Sequence, residues 1–144
     1  MFPNRRNPDL TVRTSKRSEM VEVTDEVQRL VRDSGVSEGI AVVYVPHTTA
    51  GVTVQENADP DVKHDLLAKL DRMIPKDEDF YRHAEGNSDS HLKTSFVGTS
   101  ATLLVDGNRL ALGRWQGVYL CEFDGPRERT VRVRVINSAK PNLD

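Results

Sequence analysis

The chain has 144 residues, 37% of them apolar and 29% charged, a size and mix suited to one domain whose core needs no staples. Its single cysteine, Cys121, rules out an intrachain disulfide and a multi-cysteine metal site. Lys and Arg number 20 against 22 Asp and Glu, and a formal charge of −2 excludes a general neutraliser of nucleic-acid backbones.

Residues 1–9 carry two prolines and place arginines ahead of a polar stretch, unlike the apolar run of a secretory signal. With residues 139–144 they read as polar ends around a core of about residues 10–137. Residues 10–14 alternate as a half-buried strand. Thr24 and Asp25 read as caps of a helix in which Val27, Leu30 and Val31 recur at helical spacing, with Gly35 placed to stop it. Residues 40–45 are short, β-branched and apolar on both sides, a fully buried strand ended by Pro46. This longest apolar stretch is far short of the roughly 20 residues that cross a bilayer. A cytoplasmic protein with no membrane partner is the expectation.

Residues 51–55 alternate as the next strand, and Asp59-Pro60 then reads as an N-cap followed by proline at the first helical position. Val62, Leu66, Leu70 and Met73 line one face of that helix, and Pro75 ends it. Residues 77–90 are polar and aperiodic. Residues 90–97 fit both periods, and Gly98 favours a helix. The rest is β: residues 101–105, a turn at Asp106-Gly107, then 109–112, 118–123, a turn at Gly125-Pro126, and 130–136. In the last strand Val131, Val133 and Val135 alternate with Arg132 and Arg134, giving one dry and one basic face. Seven strands and three helices predict an α+β domain built on a β-sandwich.

Polar residues collect in four stretches beside element ends. His47, leaving the end of the buried strand, suits a metal ligand, a proton carrier or a locally bonded loop histidine. Asp59 is explained by capping, whereas Asp65 falls near the helix's apolar face and should have a partner; Glu56 stands just upstream. The third stretch, residues 83–93, is the richest. His47, His83 and His91 all sit at loop or helix-start positions, and three imidazoles leave a zinc-like ion one open position, although their spacing matches no compact metal motif. Asn87 and Ser88 at a helix start can present amides to a phosphate, with Lys93 adding charge. In the fourth stretch Trp115, between glycines, reads by default as a core plug and otherwise as a wall against a planar ring. Arg127, after the proline turn, is an anion clamp or a solvated turn residue. No P-loop, dinucleotide fingerprint or nucleophile elbow occurs.

The order His47-Thr-Thr, Glu56-Asn57-x-Asp59-Pro60, His83-x-Glu85-Gly86-Asn87-Ser88, His91-x-Lys93 and Gly113-x-Trp115-Gln116 resembles the YjbQ-like family, also described as secondary thiamine-phosphate synthases. The resemblance spans about residues 10–136. It implies a single-domain α+β sandwich that assembles as a homotrimer with sites near subunit contacts. It also implies a weak ability to join a pyrimidine diphosphate to a thiazole phosphate, assisted by a divalent metal ion, zinc or magnesium. Carried onto this chain, His47, His83 and His91 become metal ligands, and Glu56 and Asp65 acid–base or supporting groups. Asn87, Ser88, Lys93 and Arg127 would hold phosphate oxygens of a small substrate. Arg114 departs from the small threonine that more often precedes Trp-Gln in the family, and adds a cation there. The alternative is a non-catalytic trimer that sequesters a metabolite or metal, since no strong nucleophile motif is present.

Overall fold

Alternation along the strands sorts the apolar side chains between two cores, and the fold follows from that sorting. In the computed structural model, which describes residues 9–138, the elements in chain order are β1 (Asp9–Arg13), β2 (Glu19–Glu22), α1 (Thr24–Asp33), β3 (Gly39–Tyr44), β4 (Ala50–Glu56), α2 (Pro60–Met73), α3 (Ser88–Val97), β5 (Ser100–Asp106), β6 (Arg109–Leu110), β7 (Gln116–Glu122) and β8 (Glu128–Asn137). Of the expected polar ends at residues 1–9 and 139–144, Asp9 is the first residue of β1 and the rest lie outside the described residues. A five-stranded sheet runs β1-β8-β3-β5-β6 and a three-stranded sheet β2-β7-β4, with every pairing antiparallel.

The main core lies between the sheets. Val43 of β3, Leu103 of β5, Val131 and Val133 of β8, Val52 of β4 and Val118 and Leu120 of β7 meet Val27 and Val31 of α1 there. The other parity of β7, Tyr119 and Cys121, continues to Phe123 and faces away, where Met20 joins them and Leu66, Leu67, Leu70 and Val97 of α2 and α3 cover them. The layers are therefore sheet, sheet and helices. Among the described residues no helix is long and apolar enough to cross a membrane.

Several local expectations are corrected. The strand Glu19–Glu22 has only two apolar residues between glutamates, so periodicity misses it; it forms as an edge strand on β7. Neither Thr24 nor Asp25 caps α1: the helix starts after Val23 without a side-chain cap, because Thr24 Oγ1 donates to Glu22 Oε2 and accepts from the Val118 amide. Asp59 does cap α2, accepting from the Asp61 amide at 2.9 Å. The covered face of α2 turns toward Leu66, Leu67 and Leu70, and leaves Met73 exposed. Residues 88–97 are helical and end at Gly98, whose φ of 94° suits glycine. Gly51 at the start of β4 packs against the Gly98 carbonyl with no room for a Cβ, so β4 closes tightly on the end of α3.

Candidate functional site

The inward rows of β7 and β8 are apolar until they reach one end of the sandwich, where Glu122 and Arg129 take the next positions of the same parity. Both are buried, and the Arg129 guanidinium donates to both Glu122 oxygens, the shorter bond at 2.5 Å. Thr14 Oγ1 donates to Glu122 Oε1 at 2.7 Å, and Arg129 also reaches Thr49 Oγ1 at 2.8 Å. Burial pushes the Glu122 carboxyl up, but bonds from Arg129, Thr14 and the Asp124 amide outweigh it and hold the group below the usual carboxylate range. The pair is a fixed ionic wall with its hydrogen bonds made within the protein.

On the outer side of that wall lies a cavity of about 490 Å³ lined by His47, Thr48, Thr49, Thr99, Arg127 and Arg129 with Tyr44, Val45 and Pro46. His47 is positioned by the sheet. β3 leaves β8 after the Tyr44–Arg132 pair, and the Thr130 amide, two residues on, donates to His47 Nε2 at 2.9 Å instead of to a strand carbonyl. An imidazole nitrogen that accepts from an amide carries no proton, so His47 is the neutral Nδ1–H tautomer. Desolvation first, and the Arg129 charge second, lower its pKa from the ordinary 6.5.

Arg127 enters this cavity from the turn after β7. Its Nε donates to the Asp124 carbonyl and its terminal nitrogen to Asp124 Oδ2 at 2.9 Å, while the guanidinium stays half-exposed. Asn87, the residue before α3, donates to the same Asp124 oxygen at 2.8 Å. The structure thus brings His47 and Arg127, distant in sequence, into one cavity, and ties Asn87 to Arg127 through Asp124 without placing it in the lining. Asn87 Oδ1 is buried with no hydrogen-bond partner.

Lys93 and Asp65 stand differently from their sequence expectations. Lys93 is 1% exposed, and its ammonium is held by Asp71 of α2 at 2.6 Å and by Asp89 at 3.1 Å, one turn earlier on α3. Arg17 grips both oxygens of Asp89 from the β1–β2 connection. The lysine is occupied as a tie between α2, α3 and that loop. Asp65, expected near a buried face, is 79% exposed with its neighbour His64 as partner at 3.0 Å. Glu56 ends β4, where its carbonyl accepts from the Tyr119 hydroxyl. Trp115 is no core plug: it is 52% exposed, with the Arg114 guanidinium 4.7 Å from its ring centre.

His83 and His91 do meet, their rings perpendicular with centres 5.1 Å apart, in a separate cavity of about 430 Å³ that also takes in Phe80, Tyr81, Ser88 and Leu92. His47 lines none of it. Among the described residues no group of three or more His, Cys, Asp or Glu stands ready to hold a metal ion, so the three-imidazole set does not assemble within one chain.

The model of the family "UPF0047 protein YjbQ-like" matches residues 8–138. The chain belongs to the YjbQ-like family. UPF0047 protein YugU of Bacillus subtilis is 48% identical over 127 residues, covering 88% of this chain and 96% of the relative. A UPF0047 protein of Methanocaldococcus jannaschii is 50% identical over 125 residues, covering 87% and 90%. A solved YjbQ/UPF0047-family structure from Clostridium acetobutylicum superposes with a TM-score of 0.87 at 48% identity, covering 89% of this chain and 98% of that one. A YbjQ-like structure from Sulfolobus solfataricus gives 0.86 at 30% identity, covering 90% and 95%.

In this YjbQ-like chain, reading the sequence for chemistry placed Glu122 and Asp124 in the fourth polar stretch without giving either a role, and missed Arg129, Asp89 and Arg17. Arg129 has the parity of Val131 and Val133, and Glu122 that of Val118 and Leu120, so a charge in each inward row was the available signal. Arg17 carries no comparable local mark.

Proposed function

We propose that this YjbQ-like chain binds a small phosphorylated substrate in the His47–Arg127 cavity, and that its reaction is a weak transfer joining a pyrimidine diphosphate to a thiazole phosphate. The observation that supports this reading is one cavity holding a neutral Nδ1–H imidazole, a half-exposed guanidinium and three threonines. In such a transfer the thiazole nitrogen attacks the pyrimidine methylene, a C–N bond forms, the C–O bond to the diphosphate breaks, and pyrophosphate leaves with the electron pair. Arg127 would bind the leaving oxygens and His47 would donate from Nδ1 to them, so that charge developing on the diphosphate meets donors already in place. Because the three imidazoles do not fit one ion within a chain, no step passes through a metal. The homotrimer belongs to the same reading, and light scattering at three times the 16.2 kDa chain mass tests it.

Incubation of the purified protein with both substrates, read as pyrophosphate release and thiamine phosphate formation, tests the reaction. Arg127→Ala should slow it by about tenfold or more, since one charge-assisted contact to the leaving group is lost. A wild-type rate no faster than that of the His47→Ala, Arg127→Ala double variant overturns the enzymatic reading. The second reading is a binding protein without turnover; it agrees with the lack of a reactive thiol, since Cys121 is buried and desolvation pushes it up to about 12, which excludes covalent thiol catalysis but not the transfer above. Saturable binding of the diphosphate without product would establish it.

A further inference from the structure

A second cavity, of about 500 Å³, opens beside the β5–β6 turn, lined by Gln28 and Arg32 of α1 and by Gly107, Asn108 and Arg109. Its wall is built. The turn takes left-handed backbone at Gly107 (φ 58°) and Asn108 (φ 62°), and the Asn108 side chain donates to the Val31 and Val36 carbonyls at 3.1 and 2.7 Å. The Asn108 amide adds a bond to the Ser37 carbonyl, so the hairpin tip is stapled to the end of α1.

The chemistry of the lining is one-sided. Gln28 Oε1 accepts from the Leu110 amide at 3.0 Å, which fixes the flip of the side chain and leaves Nε2, a donor, as its open group. Among the described residues neither Arg32 nor Arg109 has a carboxylate partner, and no acidic side chain lines the cavity. The ordinary role of an arginine in a helix's last turn, bonding the terminal carbonyls, is already filled. The Leu30, Val31 and Arg32 carbonyls accept from Ser34, Gly35 and Asn108. The lining therefore offers two guanidiniums and an amide as donors, with its carbonyl-side bonds already made.

We infer that this cavity is a second anion site, independent of the His47 cavity, that takes the phosphoryl group of a small molecule. Two guanidiniums favour a doubly charged tetrahedral oxyanion over a single carboxylate. The volume leaves room for more than the phosphoryl group.

The experiment uses the full chain carrying Arg127→Ala, so that the other cavity is weakened, and inorganic pyrophosphate as probe. Amide shifts are followed during titration, and affinity is measured by calorimetry. The expected result is saturable binding that moves the Gly107, Asn108 and Arg109 amides, weakened about tenfold by Arg32→Ala or Arg109→Ala and about a hundredfold by both. Both arginines are exposed, so unchanged melting of these variants is expected and is checked in parallel. Shifts elsewhere only, or an affinity indifferent to the arginine replacements, overturn the site. Failure of the transferase reading leaves this test unaffected, because the probe is scored at residues 107–109.

Discussion

His47 and the His83–His91 pair are the same side chain put to opposite structural uses. His47 is fixed by the Thr130 amide against a buried ion pair, and its environment keeps it neutral. His83 sits in an exposed connection, 3.7 Å from Glu85, with the edge of His91 against its ring. An imidazole bonded by the main chain has one ring nitrogen left for chemistry, as a donor. A pair formed between a loop and a helix, with no main-chain bond to either ring among the described residues, keeps its nitrogens for whatever arrives. Three histidines in suggestive order were thus one fixed proton donor and one loose pair.

The contrast breaks hardest at the wall behind His47. Replacing Glu122 with Ala leaves the Arg129 charge buried without its counterion, and should cost about 3–5 kcal/mol in urea denaturation. His83→Ala and His91→Ala should each stay within about 0.5 kcal/mol, since His83 is an exposed loop side chain and His91, half-buried on α3, belongs to neither core cluster. Similar losses on the two sides would erase the distinction. Asp89→Asn should fall between them, at about 2 kcal/mol, because Lys93 keeps Asp71 and the half-exposed Arg17 can hydrate.

Acid should act through the same two carboxylates. Burial pushes Asp89 up, as it does Glu122, but Arg17 and Lys93 outweigh it and hold the carboxyl below its ordinary 3.8, and Glu122 is held below its ordinary 4.5. Above those values both folded and unfolded chains are ionised, and the stabilisation is fully present. As pH falls through them the unfolded chain takes protons first, and the contribution is lost by the time the folded groups protonate. Thermal melts below about pH 4.5 should therefore drop steeply in the wild type and less steeply in Asp89→Asn; equal slopes would remove Asp89 from the account.

Most of the fold was legible because strands and helices bury periodic apolar rows, and residues 10–14, 40–45, 60–73 and 118–136 carry those rows plainly. The site was legible only where the sequence marks a special position. His47 follows a buried strand, Asn87 precedes a helix, and Arg127 follows a Gly-Pro turn; His47 and Arg127 line one cavity, and Asn87 shares Asp124 with Arg127. What pairs with what was not legible. Lys93 looked free because its partners come from residue 71 on another helix and from Asp89, itself committed to Arg17 across 72 positions. Trp115 looked like a plug because flanking glycines say nothing about which side of the sheet a loop falls on.

The smallest effect concerns a single proton. If the Thr130 amide bonds His47 Nε2, long-range proton–nitrogen correlation at neutral pH should show His47 protonated at Nδ1 and bare at Nε2. Its titration midpoint should lie below 6.5, the direction set by desolvation and the Arg129 charge. The unfolded chain then binds this proton first as pH falls through 6.5, so His47 contributes a small stabilisation above that value that fades below it. Replacing Thr130 with Pro would remove the amide donor but also disturb β8, whereas Arg129→Met together with Glu122→Gln removes the charge without stranding its buried counterion, and keeps the amide. In that variant the tautomer should persist while the midpoint rises. An Nε2–H tautomer in the wild type would mean that the nitrogen is not held by the strand, and His47 would again be free to act as a ligand.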